Sequence, residues 1–586
     1  KTAYEIMPSL VGSEMCIRDR SLSSNTPLSF KDLTLNGNVL SFGQQTSSFT
    51  LSDELIINTP NGRIVQGSTS LKLNGGLRID SSGVLRLTDT FDTGSAKIKL
   101  NGGLLAIDND TTLNSSIENL AASTIEIADT KNLIYEGATL NIGAHELSIF
   151  GGGTFSNTNP LQLNDTSSKL TLSGITASYV RTNSDSLGVV IDNSSSVNEF
   201  TVGHVTPVSI SANQSLDGVV DIYSKGNLKL NNSGTLSATV TVKGDSFGSG
   251  TVGGKIEVQE TMTFSGPLQQ TTDHNGLEIK IDSGKTMTYT GSGFNISNHT
   301  LKLSGGGTFK NTNNLTLNNS QSKLQLGVAS ISKVEINTSL TDGELNISAD
   351  STIESLSHTG TSRINLDANT SLTLTNPVEI PGSQIMEMVG TGTGRTVNLP
   401  VALTLTGTLK ISSENYTFSS GTLKLNGGLL DVAENTDFNT SIVHLVGSSI
   451  SVQPQKTLNY AGDGLEIGAL TLTLSGGGTI ENTNNLILEN PASILAMNGI
   501  SQISAVSVTS ALTNGMLSVG ADVVIETLDH TASSMVDISD NASLTIQNVF
   551  EVPQNKSMEL TGSDNGTLIL GDKLTLTGML KITAQS

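Results

Sequence analysis

The sequence predicts an all-β chain: a parallel β-helix, or β-solenoid, of about 20 residues per coil with long internal repeats of about 154–171 residues. Three observations predict it. Apolar and polar residues alternate in short runs at nearly even spacing, the composition is turn-rich with few bulky side chains, and near-copies of whole segments recur at two fixed long offsets.

The alternation supplies the strands. LTLN starts at Leu33, LKLN at Leu71, IKLN at Ile98, LTLS at Leu170, LKLS at Leu301, LTLT at Leu403 and LTLT again at Leu574. Period two puts Leu and Ile on one face and Thr, Lys or Asn on the other, the pattern of a half-buried strand, and most runs end in Gly, Asn, Asp or Ser, which accept turn dihedrals. Strand starts at Leu315, Leu324, Val334, Leu345, Ile353, Ile364 and Leu372 fall at steps of roughly ten, so two or three strands make a coil. No window of helical length shows sustained apolar spacing at i, i+3, i+4, i+7 with a cap.

The long repeats supply the solenoid. GGGTFSNTNPLQL from Gly151 returns as GGGTFKNTNNLTL from Gly305 and GGGTIENTNNLIL from Gly476, and Tyr135, Tyr289 and Tyr460 keep the same two offsets. LTLTGTLKIS from Leu403 returns as LTLTGMLKIT from Leu574, at the longer of the two. The difference between the offsets is close to one coil, as expected where coils are gained or lost whole. Tandem sandwiches would show linkers and clustered aromatic cores, yet spacing is even throughout and the chain has 14 Phe and no Trp. The expected organisation is 21–84, a partial first unit; 85–254, 255–408 and 409–579, full units; and 580–586, the start of a further unit of a longer chain whose coils continue at both ends. At about 20 residues per coil, the chain from Ser21 onward would make roughly 28 coils.

Residues 1–20, KTAYEIMPSLVGSEMCIRDR, differ in texture and hold the one cysteine, Cys16. Positions 1–6 and 10–20 are similar, in one reading frame, to translated sequencing adapters, so the segment is read as an adapter-derived artefact. It is no secretory leader, because Pro8, Ser9, Gly12, Ser13 and Glu14 interrupt the apolar stretch that a leader needs. Without it the chain has no cysteine, which removes disulfides, thiolate metal sites and thiol nucleophiles.

Of 586 residues, 76 are Ser, 71 Thr, 51 Asn and 60 Gly, and hydrophobic residues make up 35%. A narrow core as long as the solenoid needs little more. The net charge of −22 repels phosphates, and no basic stripe with interleaved aromatics occurs, so nucleic acid is excluded as a partner. No apolar run is long enough to cross a membrane as a helix.

The chemical motifs are weak. His145, His204, His274, His299, His358, His444 and His530 are scattered singly, and His358 and His530 are repeat equivalents expected at turns. GDSFG at 244–248 and GSGTVG at 248–253 match GxSxG and GxGxxG by letters alone, since the following KIEVQE alternates like a strand. GTGTGRT at 390–396 likewise opens no helix. Asp108 and Asp110 lack a calcium loop. The Thr pairs 373/375, 404/406, 471/473 and 575/577 lie too irregularly for a stacked ice-binding face. No catalytic, cofactor-binding or metal-ligating residue is assigned, no cofactor is expected, and the chain is expected not to be an enzyme.

From Ser21 to Ser586 the Gly/Asn/Ser/Thr-rich alternating strands, the absent cysteine and the acidic balance resemble the repetitive passengers of bacterial autotransporters and filamentous-haemagglutinin-like adhesins. The resemblance implies a secreted or cell-surface structural and adhesive stalk. Its partner would be a cell-surface or extracellular-matrix ligand, carbohydrate among the candidates. The alternatives are a β-helical polysaccharide-degrading enzyme, marked by a carboxylate-rich groove across coils, and an ice- or mineral-binding protein, marked by stacked Thr columns.

Overall fold

The computed structural model describes residues 16–17, 20–22, 28–30, 33–35, 39–42, 48–60, 63–66, 70–87, 91, 93, 96–223, 225–231, 233–243, 253–270, 276–562 and 565–584. The expectation for residues 1–20 falls almost wholly outside them. Among the described residues there is no helix, strands pair in parallel, and the chain forms a β-solenoid of about 22 turns with about 22 residues per turn. Two compact units, Lys1–Ser292 and Gly293–Ser586, are built in the same way.

One coil of the first unit illustrates the plan. Glu146–Phe150 lies on a first wall, Thr154–Asn157 on a second and Leu161–Leu163 on a third, after which Lys169–Ser173 opens the next coil on the first wall. Inward residues form in-register ladders. Leu105, Ile125, Ile149, Leu172, Ile191 and Ile210 stack through six coils of the first unit. In the second, Leu301, Leu324, Leu345, Ile364, Met388, Ile411, Val432 and Val452 do the same. All are at most 2% exposed, and each buried side chain of this size contributes about 1.5–3 kcal/mol.

Coil length varies with the corner chemistry. Leu147 pairs with Leu170 across a long coil whose second corner is the turn sequence Asn157-Thr158-Asn159-Pro160. Leu170 pairs with Val189 across a shorter one, where the corner residues are Ser178 and Tyr179 and nothing breaks the strand. There the second and third walls merge into one strand, Thr176–Thr182, followed by Ser195–Val202 and Ser215–Ile222. Ser330–Ile336, Ser351–His358, Gln502–Val508 and Val523–His530 merge in the same way in the second unit. Within the second unit, eight first-wall steps separate the strands starting at Thr300 and Thr471, so the longer repeat offset is a whole number of coils.

The repeated polar motifs are the joints between coils. Asn157 donates to the carbonyls of Asn159 at 2.8 Å and Tyr179 at 2.7 Å and accepts from the Tyr179 amide. Asn311 binds Asn313, Lys333 and the Lys333 amide identically, and Asn482 binds Asn484, Ala505 and the Ala505 amide. The Tyr135, Tyr289 and Tyr460 hydroxyls accept from the amides of Ile117, Leu268 and Ile442 and donate to the carbonyls of Ala138, Ser292 and Asp463. Burial pushes all three phenols upward in pKa. Each motif thus satisfies backbone groups that the narrow interior hides from water. The GGG start of each repeat is a turn: Gly151 and Gly152, like Gly476 and Gly477, have positive φ. A Cβ on the third glycine, Gly153, would lie 2.4 Å from Ile127 Cγ2.

Candidate functional site

The groups singled out by sequence are mostly spent on structure. Asp108 pairs with Arg86 at 3.0 Å and Asp110 accepts from the Asn132 amide at 2.9 Å. His358 and His530 are not turn residues. Each ends a long merged strand with its ring inward, 3% exposed, and its Nε2 is 2.6 Å from the hydroxyl of Ser362 or Ser534. The merging of two walls carries these positions inside, and burial pushes both imidazoles down to about 4. His444 is also buried, with Nδ1 3.0 Å from the Ile467 carbonyl, and burial holds its pKa below the usual range.

GTGTGRT at 390–396 makes room for a buried arginine. Arg395 is 1% exposed, its guanidinium lies 4.6 Å from the centre of the Tyr416 ring, and it donates to the Glu414 carbonyl. A Cβ on Gly390 would meet Arg395 Nη1 at 2.7 Å. Thr235, Thr263 and Thr288 stack through three coils, but Thr404 lies between Glu379 and Lys424, and Thr473 between Ser449 and Ala496. GDSFG, most of GSGTVG and His274 lie outside the described residues.

The site that individual motifs do not reveal is a groove of about 530 Å³ on the merged wall of the first unit. Tyr179, Arg181, Glu199, Thr201, His204, Tyr223 and Lys225 line it with Asn183, Thr182 and Gly203. On Thr176–Thr182 the inward residues are Ala177, Val180 and Thr182, so Ser178 and Tyr179 both face outward at the vestige of the missing corner. Asn198 and Glu199 do the same one coil on. Tyr179 is in register with Glu199, and Arg181 with Thr201 and then Asp221. His204 and the pair Tyr223 and Lys225 follow the ends of their strands and form the rim.

The electrostatics separate used from unused charge. Asp221, 4% exposed, is bonded to Lys243, and that hydrogen bond pushes the ammonium up in pKa. Asp185 lies 3.9 Å from His204 Nδ1 and accepts from the Val205 amide. Arg181 and Lys225 make no hydrogen bond or ion pair among the described residues, whereas Arg78, Arg86, Lys99, Lys169 and Lys285 each pair with an acid. One signal in the sequence could have found the groove. Of the seven tyrosines, Tyr135, Tyr289 and Tyr460 obey the repeat, Tyr4 lies in the adapter-like segment and Tyr416 is under Arg395; the remaining two, Tyr179 and Tyr223, both line it. At the shorter repeat offset, Lys333 and Glu335 replace Tyr179 and Arg181.

No known protein family, no curated protein and no solved structure matches this chain. What is defined is the class: a parallel β-solenoid repeat protein.

Proposed function

We propose that the chain is a non-catalytic, extracellular structural and adhesive stalk whose coils form the body and whose groove around Tyr179 and Tyr223 makes the contact. One observation carries this reading: the repeated polar residues are consumed in coil-to-coil hydrogen bonds, and the groove gathers aromatic and charged side chains that the repeat does not supply. A glycosidase ordinarily needs two carboxylates flanking the bond it cleaves. The groove lining offers Glu199 alone, since Asp221 is buried beneath its ion pair with Lys243. Mixed Thr columns weigh against an ice-binding face.

The test is to coat beads with the chain, measure retention under flow on cell, matrix and polysaccharide surfaces, and incubate the same polysaccharides with the chain in solution. Retention with no change in chain length supports an adhesive stalk. Cleavage that Glu199→Gln abolishes would replace it with an enzyme.

A further inference from the structure

We infer that the groove binds an acidic oligosaccharide of three or more rings, an inference that rests on the adhesive reading and specifies its ligand. The lining is aromatic and polar without an aliphatic side chain. Such a surface suits a ligand with flat C–H faces and hydroxyl edges, and offers little to an apolar peptide or lipid. Sugar rings present that combination: their C–H faces stack on phenol rings, and their hydroxyls bond to Asn, Glu, Thr and Arg. A volume of about 530 Å³ falls among small-ligand sites, which run about 300–1,000 Å³.

The geometry sets the length. Tyr179 and Tyr223 stand two coils apart along the solenoid and about four residues apart along the strand direction, given the register of Thr182 with Val202 and Ile222. At about 4.8 Å per coil and about 3.3 Å per residue, their Cα atoms are about 16 Å apart on the diagonal. One sugar ring cannot touch both, and an extended chain of about three can. Thr201 and Glu199 lie on the intervening coil, in register with Arg181 and Tyr179.

Charge sets the class. The chain as a whole carries −22, yet the groove gathers Arg181 and Lys225 against the one carboxylate of Glu199, and both cations lack a protein partner among the described residues. An Arg guanidinium forks onto a carboxylate with two parallel hydrogen bonds. A uronate ring seated on a tyrosine places its carboxylate within reach of such a group. The lone Glu199 then accepts from sugar hydroxyls.

The experiment is calorimetric titration of the full chain with oligogalacturonates of one, three and six rings and with a neutral six-ring glucan. The acidic trimer and hexamer should bind at least about tenfold more tightly than the monomer and the neutral glucan, and affinity should fall as salt rises. Tyr179→Ala, Tyr223→Ala and Arg181→Ala should each weaken binding about tenfold or more, while Lys424→Ala on the second unit leaves it unchanged. All four positions face solvent, and unchanged thermal midpoints check that the variants are folded. Absence of binding to every saccharide, or binding that ignores the three groove substitutions, overturns the inference. Equal binding of the neutral glucan overturns its acidic part. If coated beads still adhere when Tyr179 and Arg181 are replaced, the groove assignment fails while the adhesive stalk stands; if beads adhere to nothing, the broader reading fails.

Discussion

The two buried histidines should make their own coils acid-labile. His358 and His530 are held neutral inside the solenoid, with folded values of about 4 against an ordinary 6.5. Because the folded value is depressed, the stabilisation is fully present above pH 6.5 and is lost as pH falls from 6.5 to about 4: the opened coil takes a proton that the closed coil refuses. For each histidine, linkage between these values makes opening easier by about 2 kcal/mol at pH 5, approaching about 3.4 kcal/mol once both states are protonated. Stability in a solenoid is local, so the loss should appear where the rings are. Hydrogen exchange, corrected for the intrinsic rate at each pH, should show protection of residues 351–366 and 523–538 falling about 30-fold more between pH 7.5 and pH 5 than that of residues 195–210. The latter coil is the natural control, because Val202 and Thr206 stand where the second unit has His358 and Ser362. His358→Val with His530→Val should remove the excess. Equal pH slopes in all three segments, or an excess that survives both substitutions, would refute burial as its source.

Asn482→Ala removes two donated bonds and one accepted bond at a buried corner, which should cost about 2–4 kcal/mol of local stability by hydrogen exchange; a loss below about 1 kcal/mol would mean water replaces the amide. Tyr289→Phe leaves the Leu268 amide and the Ser292 carbonyl without the hydroxyl that joins them, and should cost about 1–3 kcal/mol around residues 268–292. Gly153→Ala places a methyl 2.4 Å from Ile127 Cγ2 and 2.6 Å from the Lys131 carbonyl, so the thermal midpoint should fall. Arg395→Met should leave the midpoint unchanged or raise it, because a buried guanidinium with Nε and Nη1 unbonded exchanges for apolar contact; a fall of several degrees would show that the Glu414 and Tyr416 contacts outweigh that desolvation.

What was legible in the sequence is what repeats. Alternation fixes inward and outward residues within a strand, and equal spacing makes the ladders from Leu105 to Ile210 and from Leu301 to Val452 readable from the pattern of letters alone. Coil length was the softer quantity. Even strand starts imply a uniform coil, but a corner such as the one at 157–160 lengthens its coil and the loss of that corner shortens the next, as the pairings of Leu147 with Leu170 and of Leu170 with Val189 show. The same corner explains the misplaced histidines. A turn between Leu356 and His358 would leave the ring outside, whereas an uninterrupted strand from Ser351 carries it in; parity cannot be counted through a corner until the corner is known to be present. The groove was illegible for a different reason. Tyr179, Glu199 and Tyr223 are each about a full coil apart in sequence and come to line one groove only through coil register.

That register also accounts for where a repeat protein can place a site. Backbone ladders, inward aliphatics and corner Asn, Tyr and Ser carry the fold, so substitution there costs the hydrogen bonds and contacts of two coils at once. Outward positions on a wall carry only side-chain bonds, such as that of Lys333 to the Thr312 carbonyl and those that Glu335 accepts from Asn314 and Thr316: at the shorter repeat offset, Tyr179 and Arg181 exchange for Lys333 and Glu335, and the strand beneath keeps its length. Where a corner is lost, two consecutive residues face outward instead of one, and side chains from three successive coils converge on a flat wall. A merged wall is therefore the part of this fold most free to acquire binding chemistry. The merged strands Ser330–Ile336, Ser351–His358, Gln502–Val508 and Val523–His530 supply the same platform without the tyrosines and the unpaired arginine. Grafting Lys333→Tyr with Glu335→Arg onto the second unit gives up the bond from Lys333 to the Thr312 carbonyl and those that Glu335 accepts from Asn314 and Thr316, and should therefore cost about 1–2 kcal/mol of local stability by hydrogen exchange while the strand Ser330–Ile336 stays in place.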